Sequence, residues 1–159
     1  MPGRDPAPDV LVAFASRQDG LMRLQANEHA EALALARRLR CSDAGTAADD
    51  RRALLLFWYG SGASRLKTEE EVLLAAWRRH GGADHPLSAA MRAEQGRLAD
   101  EIAAIAADAH APAARLRHAG DLLGAHVLRQ DRELCRVVER AVPADELVAI
   151  GESLRSLRH

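Results

Sequence analysis

Aromatic residues are almost missing from this chain: two tryptophans, two phenylalanines and one tyrosine among 159 residues. Sheet proteins fill their cores with aromatic and β-branched side chains, so this scarcity argues against a sandwich or barrel. No sustained Val/Ile/Tyr alternation between turn residues offsets it. Cysteine is as sparse. Cys41 and Cys135 lie far apart and form no CxxC pair, which excludes a disulfide scaffold and fits a reducing, cytoplasmic setting. No apolar run approaches the roughly 18 residues of a membrane span. The opening MPGRDPAPDVLVAF lacks the apolar stretch and cleavage pattern of a signal peptide. An excess of one charge is missing too: 22 Lys and Arg against 23 Asp and Glu give a net charge of −1, with no global footprint for nucleic acid. There is no nucleophile elbow, and the GSG at 60–62 lacks the spacing and following Lys-Ser/Thr of a phosphate loop.

What remains is alanine, leucine and arginine. Hydrophobic residues make up 48%, with alanine carrying much of that share, a composition suited to closely packed helices. The length is enough for one domain with a single core. Almost all basic residues are arginine, which reads as the codon habit of a GC-rich, bacterial-type genome rather than a binding surface.

Residues 1–18 read as an N-terminal arm with a Pro/Asp-rich tip. A helix is predicted over 19–40, ending at the polar loop CSDAGTAADD, and a second from about 50 to 80, ending at GGADHP. A third spans about 88–109 and a fourth about 113–140. Pro143 fits the first turn of a short terminal helix, ADELVAIGESLRSLR. The expected architecture is all-α: an up-down four-helix bundle over 19–141, preceded by the arm and followed by the short C-terminal helix in 142–159. Gly60 and Gly62 fall inside the second helix, where each costs about 1 kcal/mol relative to alanine. They predict a loosening or kink just before Arg65.

Bundle helices bury residues three and four apart, so each seam can be written from the sequence. The first is Met22, Ala26, His29, Leu33, Ala36, and the second Leu54, Trp58, Arg65, Glu69, Val72, Ala76. The third is Met91, Gln95, Leu98, Ile102, Ile105, and the fourth Leu123, His126, Gln130, Leu134, Val137. Every seam carries a polar interruption, and the second and fourth carry a pair at i and i+4, neighbours on one helix face. Six buried polar groups at one level must satisfy each other or a ligand, because each left unpaired costs about 1–3 kcal/mol. Taken singly, His29 and His126 read as hydrogen-bonded core histidines, and Arg65 with Glu69 as a solvated ion pair. Their joint placement is what points to a site. Spacing leaves open whether Glu69 or Glu70 faces inward, while Glu71 lies over Lys67 and Thr68 and reads as solvated. His80, His85, His110 and His118 fall at helix ends and read as surface residues, and His159 is terminal.

From about residue 24 to 151 the chain resembles the hemerythrin-like (HHE cation-binding) family, four-helix bundles with a non-haem di-iron site in the core. The resemblance is carried by NEHAEALALARRLR, FWYGSGASRLKTEEEVLLAAWRRHGGADHP, AEQGRLADEI and LGAHVLRQDRELCRVVERAVPADELVAIG. In that family the second and fourth helices each present a histidine followed four residues later by a glutamate, and the first and third present further histidines. The resemblance matches His29, Glu69 and His126 to ligands. It sets Arg65, Gln95 and Gln130 where ligands are usual, with Glu70 and Asp131 as nearby acids. Leu66 and Cys135 stand where aromatics are usual. Arginine has no lone pair to donate, and a glutamine amide replaces neither an imidazole nor a bridging carboxylate. An intact di-iron centre is therefore not expected.

Two readings follow. In the first the bundle holds no metal, and Arg65 donates to Glu69 and to the amide oxygens of Gln95 and Gln130, so that Arg65→Ala costs about 3–5 kcal/mol. The role is then non-catalytic binding or regulation, with a protein partner or small ligand and neither nucleic acid nor membrane. In the alternative, His29, Glu69 and His126 keep a mononuclear iron or zinc site that binds dioxygen, nitric oxide or peroxide.

Overall fold

The structure is a computed structural model that describes residues 29–156. The arm expected over 1–18, the start of the first predicted helix with Met22 and Ala26, and residues 157–159 lie outside the described residues. What is described is all-helical, with no strand. Helix α1 covers residues 29–40. Helices α2 (Ala47–Phe57) and α3 (Ala63–Trp77) are joined without a break by a π-helical turn, Trp58–Gly62. A second π segment, Arg78–Gly82, ends α3, and α4 runs Pro86–Ala107. Helices α5 (Ala113–Arg129) and α6 (Cys135–Ala141) are likewise joined by a π turn, Gln130–Leu134, and α7 is Ala144–Ser156. The glycine pair thus loosens the second long helix where the sequence said it would. The π turn at Gln130 had no glycine to announce it.

Local chemistry accounts for the breaks. Between α1 and α2, the Asp43 carboxylate accepts from the backbone N–H groups of Gly45 and Thr46 at 2.8 and 3.0 Å. The Thr46 hydroxyl accepts from Asp43 N–H in return, so the turn is closed from both sides. Gly81 ends the α3 segment with φ of 99°, a backbone that L side chains avoid. Pro86 opens α4 with His85 as its N-cap, the ring Nδ1 accepting from Leu87 N–H at 3.1 Å. The other end of α4 is closed by Arg51, which donates to the carbonyls of Ile105, Ala106 and Asp108. Glu146 fastens α7 to the π segment through Arg79 and His80, and these two partners hold its carboxyl below the usual range.

Helix α4 lies along α5, α2 touches both, and α3 packs on α6 and α7. Among the described residues the apolar core comes in two clusters. One gathers Ala36, Leu39, Leu54, Trp58, Leu98, Ile102, Leu116 and Leu123. The other gathers Leu73, Trp77, Met91, Leu134, Val138, Leu147 and Ile150. Along α3, α4 and α5 the change from one cluster to the other falls at the polar seam positions. Glu69 and Glu70 lie between Leu66 and Leu73, and Gln95 lies between Met91 and Leu98. His126 and Gln130 lie between Leu123 and Leu134. The core is cut by a polar layer.

Helices α1 and α5 approach closely at Gly120, where an added Cβ would sit 2.8 Å from the Ala36 carbonyl and from Leu39 Cβ. Gly120→Ala is expected to destabilise by about 1–3 kcal/mol, since backbone has to move. One turn on, a Cβ at Gly124 would meet nothing nearer than Ala36 Cβ at 3.5 Å, ordinary contact. Gly124→Ala should leave the urea midpoint unchanged or raised. Among the described residues no helix is long and apolar enough to cross a membrane.

Candidate functional site

Four of the predicted inward positions are buried: His29, Glu69 and His126 at 1% exposure each and Gln130 at 0%. The question left open at 69 and 70 has a double answer, because Glu70 is also buried, at 4%. Consecutive residues on an α-helix point about 100° apart. From α3, then, Glu69 meets α1 and Glu70 meets α5.

Two carboxylate–imidazole clusters result. In the first, the His29 ring lies between two acids, Nε2 at 2.9 Å from Glu69 Oε2 and Nδ1 at 2.5 Å from Asp131 Oδ1. Asp131 reaches it from the π turn. A plain α-helix that buries Gln130 would carry Asp131 about 100° away from the interior, and the wider π turn keeps both on the inner side. Burial opposes a charged imidazole, but the hydrogen bonds to Asp131 and Glu69, with their negative charges, outweigh it. They raise the pKa of His29 from 6.5 to about 9. At neutral pH His29 is an imidazolium that donates from both nitrogens. Nearby, burial first and then the charges of Asp131, Glu139 and Glu69 push the Cys135 thiol up, which makes it an inert core group.

In the second cluster His126 Nε2 lies 3.1 Å from Glu70 Oε2, and Nδ1 lies 3.4 Å from Glu94 Oε2. Glu94 is also held by Arg129 Nε at 3.1 Å. The 3.1 Å contact is close but its angle is too bent for a hydrogen bond, and both Glu70 Oε2 and His126 Nε2 are without a hydrogen-bond partner among the described residues. The same holds for Gln95 Oε1 and for both amide atoms of Gln130. Buried polar atoms in this state cost about 1–3 kcal/mol apiece.

The structure brings together His29 with Glu69 and Asp131, and His126 with Glu70. His126 is paired with Glu70 and Glu94 rather than with the His29–Glu69 pair. Arg65 is a correction. It is half-buried, and its hydrogen bond is to Ser61 Oγ at 3.3 Å on the exposed side. The amide oxygens of Gln95 and Gln130, expected to accept from it, do not. Leu66, 3% exposed, takes the inward place beside it.

Sequence reasoning missed Glu94 and Arg129. Glu94 stands three residues after Met91 and four before Leu98, spacing as good as that of Gln95. Either could have been read onto the seam.

Among the described residues no group of three or more His, Cys, Asp and Glu is disposed to hold a metal ion. A di-iron centre does not fit the side chains present. Both nitrogens of His29 are engaged by carboxylates, and amides stand at 95 and 130. Comparisons with protein-family models, curated proteins and solved structures find no match.

Proposed function

We propose that the chain is a hemerythrin-like, up-down four-helix bundle in which a hydrogen-bonded network with a protonated histidine has replaced the di-iron centre. The four helices are α1, α2 with α3, α4, and α5 with α6, and α7 is the short C-terminal addition. The observation that carries this reading is His29, whose two ring nitrogens face Glu69 and Asp131. A metal in such a layer holds carboxylates from different helices together with positive charge. The imidazolium supports the same job with a proton, between one carboxylate on α3 and one on the π turn after α5. Arg65 was first expected to supply that charge. The geometry favours His29 instead.

The role that goes with this reading is non-catalytic binding or regulation, with a small ligand or protein as partner. The test is reversion. Arg65→His, Gln95→His and Gln130→Glu together restore the donors of the family pattern, and metal binding can displace the His29 proton. The triple variant is expected to take up a pair of irons, seen as oxo-bridge absorption and by metal analysis, while the unmodified chain forms no such pair. A reverted protein that folds but stays free of the iron pair would sink the reading.

A further inference from the structure

Helix α3 packs on α6 and α7, and between it and α4 a groove of about 550 Å3 stays open. The two helices run antiparallel, since Leu66 shares one core cluster with Leu98 while Leu74 shares the other with Met91. Glu70 on α3 therefore stands level with Gln95 on α4, and both line the groove. Arg92 and Arg78 line it further along, in the direction of Leu74. At 1.5 Å per residue they stand about 5 and 12 Å beyond the level of Glu70.

The two ends of this groove differ in chemistry. At one end Glu70 is only 4% exposed, and neither its Oε2 nor the buried Oε1 of Gln95 has a hydrogen-bond partner among the described residues. The contact of Glu70 with His126, which does not line the groove, is too bent to count as one. Buried acceptors in this state call for a donor. The terminal torsions of Glu and Gln are soft, so either oxygen turns toward the groove at little cost. At the other end Arg78 and Arg92 are exposed, and neither has an acidic partner among the described residues. Lys67 and Glu71 also line the groove, but they lie 3.9 Å apart and offset each other. Between the ends the wall is apolar, formed by the buried Leu74.

We propose that this groove binds a linear ω-amino acid, its ammonium donating to Glu70 and Gln95 and its carboxylate lying between Arg92 and Arg78. An ammonium has three donors, enough for both oxygens and a water. Two guanidiniums offer a carboxylate the charge-assisted, forked bonds it favours. The methylenes cover Leu74, and the spacing of the two ends suits a chain of about six carbons. A plain amine leaves two arginines without an anion, and a plain anion leaves two buried acceptors without a donor. The inference rests on the preceding reading for the non-catalytic role, to which it gives a ligand class; the groove uses neither His29 nor a metal.

The experiment is calorimetric titration of the full-length protein with 6-aminohexanoate, and with hexylamine and hexanoate as its single-ended halves. 6-Aminohexanoate is expected to bind at one equivalent, at least about ten-fold more tightly than either half. Glu70→Gln should weaken it by about ten-fold or more, as should Arg78→Gln combined with Arg92→Gln. Lys67→Gln should change it by less than about three-fold, because Glu71 already offsets that charge. Circular dichroism checks folding, and the exposed arginine pair decides the matter if Glu70→Gln does not fold. Absence of saturable binding up to about 10 mM overturns the groove. So does binding that survives the arginine double variant, or that either half equals. Iron uptake by the triple reversion is read separately, so failure there leaves the groove standing, and failure of 6-aminohexanoate leaves the replaced-centre reading standing.

Discussion

His29→Ala should lower the unfolding free energy by about 3–5 kcal/mol, the loss expected when one partner of a buried charge pair is removed. His29 and Glu69 are each 1% exposed, so water cannot take over the carboxylate when the imidazolium goes. Asp131 loses its hydrogen bond as well, though at 20% exposure it turns to solvent at little cost. Arg65→Ala, by contrast, should shift stability by no more than about 0.5 kcal/mol, because its bond to Ser61 is on the exposed side. Urea unfolding of the two variants side by side decides where the positive charge of the layer resides. A His29→Gln, Glu69→Gln double variant should be more stable than the sum of its single changes, since it leaves no buried charge behind. Equal midpoints for His29→Ala and Arg65→Ala would show that His29 is not the cation holding this layer.

The inward positions were legible because three-four spacing is a property of one helix at a time. His29, Glu69, His126 and Gln130 were each placed on a seam from the sequence alone, and each is buried. Gly60 and Gly62 marked the π turn for the same reason, as a local propensity failing inside a long helix. Pairings were not legible, because they depend on the rotation and height of one helix against another. At Arg65 the seam had to be carried across the π turn, whose extra residue shifts the register, and Leu66 was the better inward choice by hydrophobicity. At Glu94 and Gln95 the spacing was degenerate. Asp131 reaches the layer from a π turn, Gln130–Leu134, and no glycine or proline within it gives that away.

Stability should fall as pH rises through the neutral and mildly alkaline range, and His29 fixes the sign. Its pKa goes from 6.5 in the unfolded chain to about 9 in the fold. The folded state therefore binds more protons between those values, and stability must drop with pH there. Below pH 6.5 the imidazole is protonated in both states and its contribution is fully present. Above pH 9 it is neutral in both, and the contribution is gone. At about 1.4 kcal/mol per pH unit, the interval corresponds to about 3 kcal/mol. Desolvation acts against this, since burial alone would lower the pKa of His29; the two carboxylates have to overcome it before any net stabilisation appears. Asp50 works in a different window. Burial would raise its pKa, but the Arg38 guanidinium, donating to it at 2.7 Å, holds it below 3.8, so its contribution is lost only in acid. Urea unfolding measured from pH 6 to 10 should show the decline in the wild-type protein and a flat profile over the same range in His29→Gln. A wild-type profile that stays flat to pH 9 would mean that Glu69 and Asp131 face a neutral imidazole, and that the layer is held without a buried positive charge at position 29.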